Sequence, residues 1–138
     1  QVQEGVTHIP SCVFEFCRHL QRVDVPNTVT IIGYRSFFYC DSLRSIDLQG
    51  NNNNNNNNNN TSVLLTRIGD RAFQCSGLRE IDIPDTVTSI GSAAFRQCSS
   101  LIRIRFPANP ELTISSLVCY GCLNLTTIEI SNSNSNSG

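Results

Sequence analysis

The sequence has few of the residues on which catalysis usually depends. Its 138 residues include two histidines, no methionine and no tryptophan. The histidines, His8 and His19, both lie near the N-terminus, so a nucleophile elsewhere would lack a histidine base within hydrogen-bond reach. The glycines are scattered and form neither a phosphate-binding loop nor a dinucleotide fingerprint. We therefore expect no enzymatic activity and no cofactor.

Net charge and long apolar runs are also lacking. The net charge is −1, which gives no global attraction to nucleic acid or to an anionic membrane. No apolar run approaches the ~18 residues of a membrane-spanning helix, and no signal segment opens the chain. We expect no nucleic-acid partner, no membrane insertion and a monomer. Because the chain has no methionine and begins inside a repeat, we also expect a fragment of a longer array.

What the sequence does contain is a unit of about 23 residues that recurs five times. Three well-kept copies begin at Val29, Leu65 and Val87, and diverged copies begin at Val6 and Ile114. A well-kept copy joins a Val-Thr-x-Ile-Gly segment, or its leucine variant, to a later Leu-x-x-Ile-x-Ile segment. Self-similarity at this period is typical of a solenoid, in which each coil depends on its neighbours for burial.

The second segment of each copy predicts a short strand. Its alternation directs Ile81 and Ile83 to one face and the residue between them to the other. Parallel stacking of such strands about 4.8 Å apart would bury the apolar row. Gly91 and its equivalents indicate a tight turn in which positive φ is one option. Residues 92–97 suffice for little more than a helical turn carrying Phe95 inward.

At these positions the chain resembles the BspA-like class of leucine-rich repeats, whose pattern is similar to V-T-x-I-G-x-x-A-F-x-x-C-x-x-L-x-x-I-x-I-P-x-T. The resemblance extends from about Val6 to Ile130, with departures at Pro10, at Cys119 and in the shortened third copy. The expected fold class is an α/β repeat over residues 1–130. It is a β-rich, right-handed leucine-rich-repeat solenoid with a parallel strand ladder, short helical turns and about five coils.

Two segments lie outside the coil pattern. Ten consecutive asparagines account for most of an enlarged spacing between repeats, and we predict that residues 49–62 form a disordered loop. Residues 131–138 alternate serine and asparagine before a final glycine, which predicts a flexible tail. Expansion of a simple repeat is well tolerated in a loop; an aggregation role of the asparagines is the alternative.

The seven cysteines suggest a packing column more strongly than a disulfide framework. Four of them occupy one repeat position and a fifth lies beside it, which predicts a buried structural column: Cys17, Cys40, Cys75, Cys98 and Cys122. Inter-coil disulfides stay an alternative, although the odd count leaves one thiol free. Cys119-x-x-Cys122 and the His8, Cys12, Cys17, His19 group have zinc-like spacing. The column already accounts for Cys122, and His8 and His19 are better explained as solvated surface residues. We therefore expect no metal site.

The outward side of the strands is the candidate recognition surface. Its polar positions hold three aspartates, five arginines and one glutamate that we interpret as partner-binding: Asp24, Asp47, Asp82, Arg22, Arg44, Arg79, Arg103, Arg105 and Glu129. Stacking would place the three aspartates about 5 Å apart, with Arg22, Arg44 and Arg79 offsetting their repulsion. A solvated face without a partner is the competing interpretation. A Ca²⁺ site is a minor one, because the arginines would compete with the cation.

We therefore expect a non-enzymatic repeat scaffold that binds a protein or a glycan. The alternatives are a spacer that projects another domain and, less strongly, an accessory domain of an enzyme. The family resemblance implies a cell-surface or secreted protein, whereas the cysteine usage is equally compatible with a reducing cytoplasm.

Overall fold

A computed structural model describes residues 5–50 and 62–131. The described chain forms ten short strands, two in each coil. They are β1 (His8–Ile9), β2 (Arg22–Asp24), β3 (Ile31–Ile32), β4 (Ser45–Asp47), β5 (Arg67–Ile68), β6 (Glu80–Asp82), β7 (Ser89–Ile90), β8 (Arg103–Phe106), β9 (Thr113–Ile114) and β10 (Thr127–Ile130). All pairings are parallel, and equivalent strands of successive coils lie side by side. The predicted solenoid of about five coils is confirmed.

The strands form two series around a common core. β1, β3, β5, β7 and β9 make one five-stranded sheet. The second series divides into a two-stranded sheet, β2–β4, and a three-stranded sheet, β6–β8–β10. The inward positions are apolar in both series, and the alternation predicted in the second holds, since Ile81 and Ile83 are 2% and 1% exposed. Each coil thus covers the apolar row of its neighbour.

A stack of four phenylalanine rings runs through the core. Neighbouring ring centroids are 5.2 Å apart for Phe14–Phe37 and for Phe37–Phe73, and 5.4 Å apart for Phe73–Phe95. The last two pairs are nearly parallel, with interplanar angles of 1° and 2°. Cys119 takes the equivalent position in the fifth coil, because the amide of Phe95 donates to the carbonyl of Val118, just as the amide of Phe73 donates to the carbonyl of Ala94. The stack ends there, since Cys119 has no ring.

The segments predicted as helical turns are chains of tight turns, and no helix forms in residues 5–50 and 62–131. In the second coil, the amides of Arg35, Phe37 and Tyr39 donate to carbonyls of the next coil. The amides between them donate to the carbonyl three residues earlier. Arg35 and Tyr39 take left-handed φ values of 52° and 55°. Hydrogen bonding divided between two coils thus replaces the helix.

The turn glycines are required by close packing, which corrects the option of positive φ. Gly33, Gly69 and Gly91 do not have left-handed φ; non-glycine residues two positions later do. A Cβ on Gly69 would lie 2.8 Å from the carbonyl carbon of Gly33 and 2.9 Å from the oxygen of Ile32. Any side chain there would separate adjacent coils, because such distances are below normal contact.

The cysteine column holds four of the five predicted members. Cys40 and Cys98 are buried, and Cys17 and Cys122 are half-buried. The Sγ atoms of Cys40, Cys98 and Cys122 each donate to a phenylalanine carbonyl of the preceding coils at 3.0 Å. Burial is the main cause that raises the pKa of the Cys40 thiol to about 12.

Cys75 does not belong to this column, so its assignment was wrong. The column position of the third coil is taken by Ser76, which is buried and whose Oγ lies 3.3 Å from the Sγ of Cys98. Cys75 instead occupies the left-handed turn position, with φ of 58°. The third coil has one residue between Ser76 and Leu78, where the other coils have two. That residue, Gly77, packs directly against the Asp41 carbonyl.

The predicted loop and tail lie largely outside the described residues, which exclude 51–61 and 132–138. The predicted tail began one residue too early, because Ser131 belongs to the fifth coil. Ser131 is 3% exposed, and its amide donates to the Phe106 carbonyl at 2.9 Å. It therefore continues the β10–β8 pairing. The fifth coil leaves its inward row open, with Ile128 and Ile130 63% and 61% exposed.

Candidate functional site

The outward side chains of the second strand series lie on one side of the solenoid, which we call the ladder face. It is defined by ten strand residues: Arg22, Asp24, Ser45, Asp47, Glu80, Asp82, Arg103, Arg105, Thr127 and Glu129. These positions point outward because the intervening residues of each strand fill the core. The strand register therefore decides which charges become neighbours.

In coils three to five, opposite charges alternate across the strands. Asp82 pairs in register with Arg105, and Arg105 with Glu129. In the neighbouring row, Glu80 pairs with Arg103. The expected stack of three aspartates therefore ends at Asp82, which faces an arginine of the next coil on its other side. Like-charge repulsion is replaced by cross-strand attraction there.

Arg103 is the centre of an ion network that joins three strands. Its Nη1 lies 2.8 Å from a carboxylate oxygen of Asp82 and 3.6 Å from one of Glu80. Its Nη2 donates to Glu129 at 2.9 Å. The hydrogen bond with Glu129 raises the pKa of Arg103, and the same bond lowers the pKa of Glu129. The guanidinium therefore stays charged and is oriented by its partners.

In the first two coils, acidic residues are adjacent. Asp24 and Asp47 are register partners, as predicted. Arg22 lies 2.8 Å from Asp24, and its pKa is raised first by Asp24 and to a smaller extent by Asp47. Asp47 directs one oxygen to the amide of Gln49 at 2.8 Å. Negative charge is thus less completely compensated at Asp47 than in the Arg103 network.

Between these two halves the strand ladder is interrupted. β4 and β6 lie next to each other, but they belong to different sheets and are not paired as strands. Just before these strands, the amide nitrogen of Arg79 lies 3.4 Å from the carbonyl oxygen of Arg44. At the next junction, the equivalent distance from Ile102 to Arg79 is 2.7 Å. The third coil is one residue short beside this junction, which shortens the chain there by up to ~3.5 Å.

The interruption opens a cleft on the ladder face. Its volume is about 280 Å³. Four residues of the β4 end and four residues of β6 and β8 line it: Ile46, Asp47, Leu48, Gln49, Glu80, Ile81, Asp82 and Arg103. The cleft therefore combines apolar side chains with three carboxylates and one guanidinium. The repeat pattern predicts an unbroken ladder, and the shortened third copy is the sequence feature that marks the departure from it.

The remaining predicted residues lie beside the cleft. Arg44 directs Nη1 to the carbonyl of Gly77 at 3.4 Å instead of to an aspartate. Arg79 lines a shallow depression with Ser100, Ile102 and Asn124. Among the described residues, Arg22 and Arg103 form ion pairs with ladder carboxylates, whereas Arg44 and Arg79 form none.

A second exposed feature, an aromatic cluster, lies on the turns of the first two coils. Phe16 and Tyr39 stack with ring centroids 5.5 Å apart, and Phe38 packs against both. The guanidinium carbon of Arg35 lies 3.9 Å from the Phe38 ring centroid, and Arg35 pairs with Glu15 at 2.5 Å. The sequence signal for this cluster is the run of aromatic residues at the turn positions of these two coils.

Metal-binding clusters and membrane-spanning helices are absent from the part of the chain that the structure describes. Within residues 5–50 and 62–131, no group of three or more histidine, cysteine, aspartate or glutamate residues could hold a metal ion. His8 and His19 are exposed, and all seven cysteines are free thiols. The same described ranges contain no helix with the length and apolar character that a membrane crossing requires.

The two strand series and the ladder face define a repeat solenoid of the leucine-rich type. The family model for the BspA type leucine rich repeat region matches residues 1–61 and 52–138, with six copies. This chain therefore belongs to the BspA-type leucine-rich repeat family, as the resemblance predicted. None of the curated proteins matches it in sequence.

Three solved structures illustrate the similarity. A leucine rich cell surface protein from Faecalibacterium prausnitzii A2-165 is 30% identical, with a TM-score of 0.79 over 96% of this chain and 32% of its own. A leucine-rich repeat protein from Eubacterium ventriosum ATCC 27560 is 30% identical, with a TM-score of 0.75 and the same coverages. One from Bacteroides ovatus ATCC 8483 is 26% identical, with a TM-score of 0.67 over 93% of this chain and 36% of its own. The chain thus spans about a third of the length of these proteins.

Proposed function

We propose that this chain is a non-enzymatic binding module that contacts a protein or a glycan through the ladder face. The observation that carries the proposal is the row of charged side chains that the strands hold outward in every coil, in fixed register within β2–β4 and within β6–β8–β10. Solenoids use such extended rows as binding surfaces, because each repeat adds one rung to the same face. A rigid strand also presents its side chains without the ordering cost that a mobile loop would incur.

The family context supports a role in recognition at a surface. One similar structure is described as a leucine rich cell surface protein, and we extend that setting to this chain as part of the proposal. The competing function is a spacer whose repeats only project another domain. A spacer needs the core and the stacking but not the ladder charges, so ladder substitutions distinguish the two functions.

The test combines two charge reversals that leave the net charge unchanged. Asp24→Lys and Arg105→Glu together alter both halves of the ladder face. A control, Glu111→Lys, reverses an exposed carboxylate outside this face. Each variant is first checked for unchanged circular dichroism and thermal midpoint. Binding is then screened on arrays of defined glycans and purified extracellular proteins, and hits are measured by biolayer interferometry.

We expect the double variant to weaken a hit at least tenfold and Glu111→Lys to leave it unchanged. Equal binding by the unmodified chain and the double variant would favour the spacer. If binding instead disappears in Phe16→Ala and persists in the double variant, the aromatic cluster is the binding surface and the ladder proposal is wrong. An enzymatic role would require turnover that is lost with His8, His19 or Cys119.

A further inference from the structure

We propose that the cleft between β4 and β6 receives one arginine side chain of a protein partner. This inference rests on the proposed function and narrows it from a surface to one point of attachment. It also narrows the partner class to protein, because a guanidinium side chain is the chemical group that the cleft fits. The proposal starts from the interruption of the ladder, a feature that the other junctions of the second strand series lack.

The shape of the cleft suits a long side chain and excludes an added strand. The Cα atoms of β4 and β6 approach within 8 Å, whereas a strand inserted between them needs about 9.6 Å, twice the normal spacing. The cleft volume of about 280 Å³ is several times the ~30 Å³ share of one water in the liquid. A single extended side chain can therefore enter where a backbone cannot.

The lining matches the two chemical parts of an arginine side chain. Ile46, Leu48 and Ile81 line the cleft, and the half-buried Ile46 offers apolar surface to the methylene stem. Asp47 and Glu80 provide carboxylate oxygens for the guanidinium, which offers five N–H donors in a planar fork. The order of these parts follows from the strands, because β4 reads Ser-Ile-Asp and β6 reads Glu-Ile-Asp, with the isoleucine between two outward polar residues.

Charge in the cleft favours a cationic occupant. Among the lining residues that the structure describes, Arg103 is the one cation, and it is shared between Asp82, Glu80 and Glu129. Asp47 receives only a secondary contribution from Arg22, whose direct partner is Asp24. The lining carboxylates therefore exceed the available positive charge, and an anionic group would be repelled. A metal ion is disfavoured, because Arg103 stands beside the carboxylates and would compete with it.

The test uses the full 138-residue chain and a pair of short peptides. The probe is acetyl-Gly-Gly-Arg-Gly-Gly-amide, and its control replaces arginine with citrulline, which keeps the shape and removes the charge. Titration is followed by ¹⁵N–¹H NMR at low salt. We expect shifts confined to the amides of residues 46–49 and 80–82 with the arginine peptide only. Shifts of equal size with citrulline, or shifts centred elsewhere, would overturn the proposal.

Two isosteric variants test the carboxylates. Asp47→Asn and Glu80→Gln should each weaken the arginine peptide about fivefold, the effect of one charge pair at 4 Å in water. Glu111→Gln, which removes an exposed carboxylate outside the cleft, should leave the affinity unchanged. Raising the salt concentration to 0.5 M should weaken binding to the unmodified chain and reduce the difference between variants. Equal affinity in all three variants would refute the cleft as the arginine site.

Failure of this inference and failure of the proposed function give different results. If the ladder face binds a protein without using the cleft, the Asp24→Lys/Arg105→Glu variant loses the protein while Asp47→Asn and Glu80→Gln keep it. If the ladder face has no macromolecular partner, the arrays yield no ladder-dependent hit. The arginine peptide would still shift the NMR signals of the amides of residues 46–49. The peptide titration and the array measurement therefore judge the two proposals separately.

Discussion

The phenylalanine stack allows a prediction whose magnitude follows from the position of each ring. Phe73 lies between two rings, at 5.2 Å from Phe37 and 5.4 Å from Phe95. Phe95 has a ring on one side only, because Cys119 follows it in the stack. Both side chains are 0% exposed. Phe16, by contrast, is 51% exposed on the turn surface and serves as the control.

Replacing a buried phenylalanine with alanine costs about 3–5 kcal/mol of unfolding free energy, from lost burial and the cavity that remains. An aromatic pair adds about 0.5–1.5 kcal/mol beyond burial. Phe95→Ala should therefore fall near the lower end of that range, and Phe73→Ala should exceed it by about one pair contribution. Phe16→Ala removes a partly exposed ring and should cost less than either core variant.

Urea unfolding followed by circular dichroism measures these differences, with the m-value as a check on cooperativity. A lower m-value in Phe73→Ala would mean that the coils on either side unfold separately, since repeats are coupled only to their neighbours. The reasoning would be refuted by a loss below about 1 kcal/mol in Phe95→Ala at unchanged m. It would equally fail if Phe16→Ala cost as much as Phe95→Ala.

Three further predictions concern thiols, an ion pair and a glycine. Cys40 should react with a thiol reagent at pH 8 far more slowly than the exposed Cys12, and reductant should leave the thermal midpoint unchanged; several inter-coil disulfides in unreduced mass spectra would contradict both. The folded pKa of Cys40 is about 12, against an ordinary value of 9.0. The contribution of this thiol to stability is therefore complete below pH 9 and is lost as the pH rises toward 12. In urea titrations, a Cys40→Ala variant should lose less stability over that pH interval than the unmodified chain. The depressed pKa of Glu129 means that its ion pair contributes above the ordinary glutamate pKa and is lost as the pH falls through the lowered value; an NMR titration should place its midpoint below the ordinary range, and Arg103→Gln should raise it. Gly77→Ala should destabilise the third coil by about 1–3 kcal/mol, because its Cβ would meet the Asp41 carbonyl; an unchanged unfolding midpoint would show that the coils can separate at little cost.

Much of the fold could be predicted because each repeat tests the same pattern independently. Ile81 and Ile83 alternate with a polar residue, and the equivalent positions alternate in other coils, so the sequence alone identifies the inward face. The inward phenylalanine and the parallel pairing followed for the same reason. A position that recurs at fixed spacing must occupy the same place in each coil, because the coils stack on one another.

The local turn geometry could not be predicted, because the neighbouring coil decides it. Arg35 and Tyr39 adopt left-handed φ, which local propensity disfavours for such residues. Their amides donate to carbonyls of the next coil, at 3.1 Å and 2.9 Å, and those bonds exist only after stacking. The assignment of Cys75 failed for a related reason. A one-residue deletion can be placed on either side of it, and only the contact between Ser76 and Cys98 shows which side is correct.

For the candidate site, the sequence determined which charged side chains point outward, since a strand alternates faces with a period of two residues. Only the tertiary structure decided which of them meet. Arg103 contacts carboxylates from β6 and β10, although the chain separates these residues by 21 and 26 positions. The same structure opened the cleft between β4 and β6, because one missing residue in the third coil alters how two otherwise similar strands approach. Repetition fixes the direction of a side chain, but the distance between side chains depends on how each pair of coils packs.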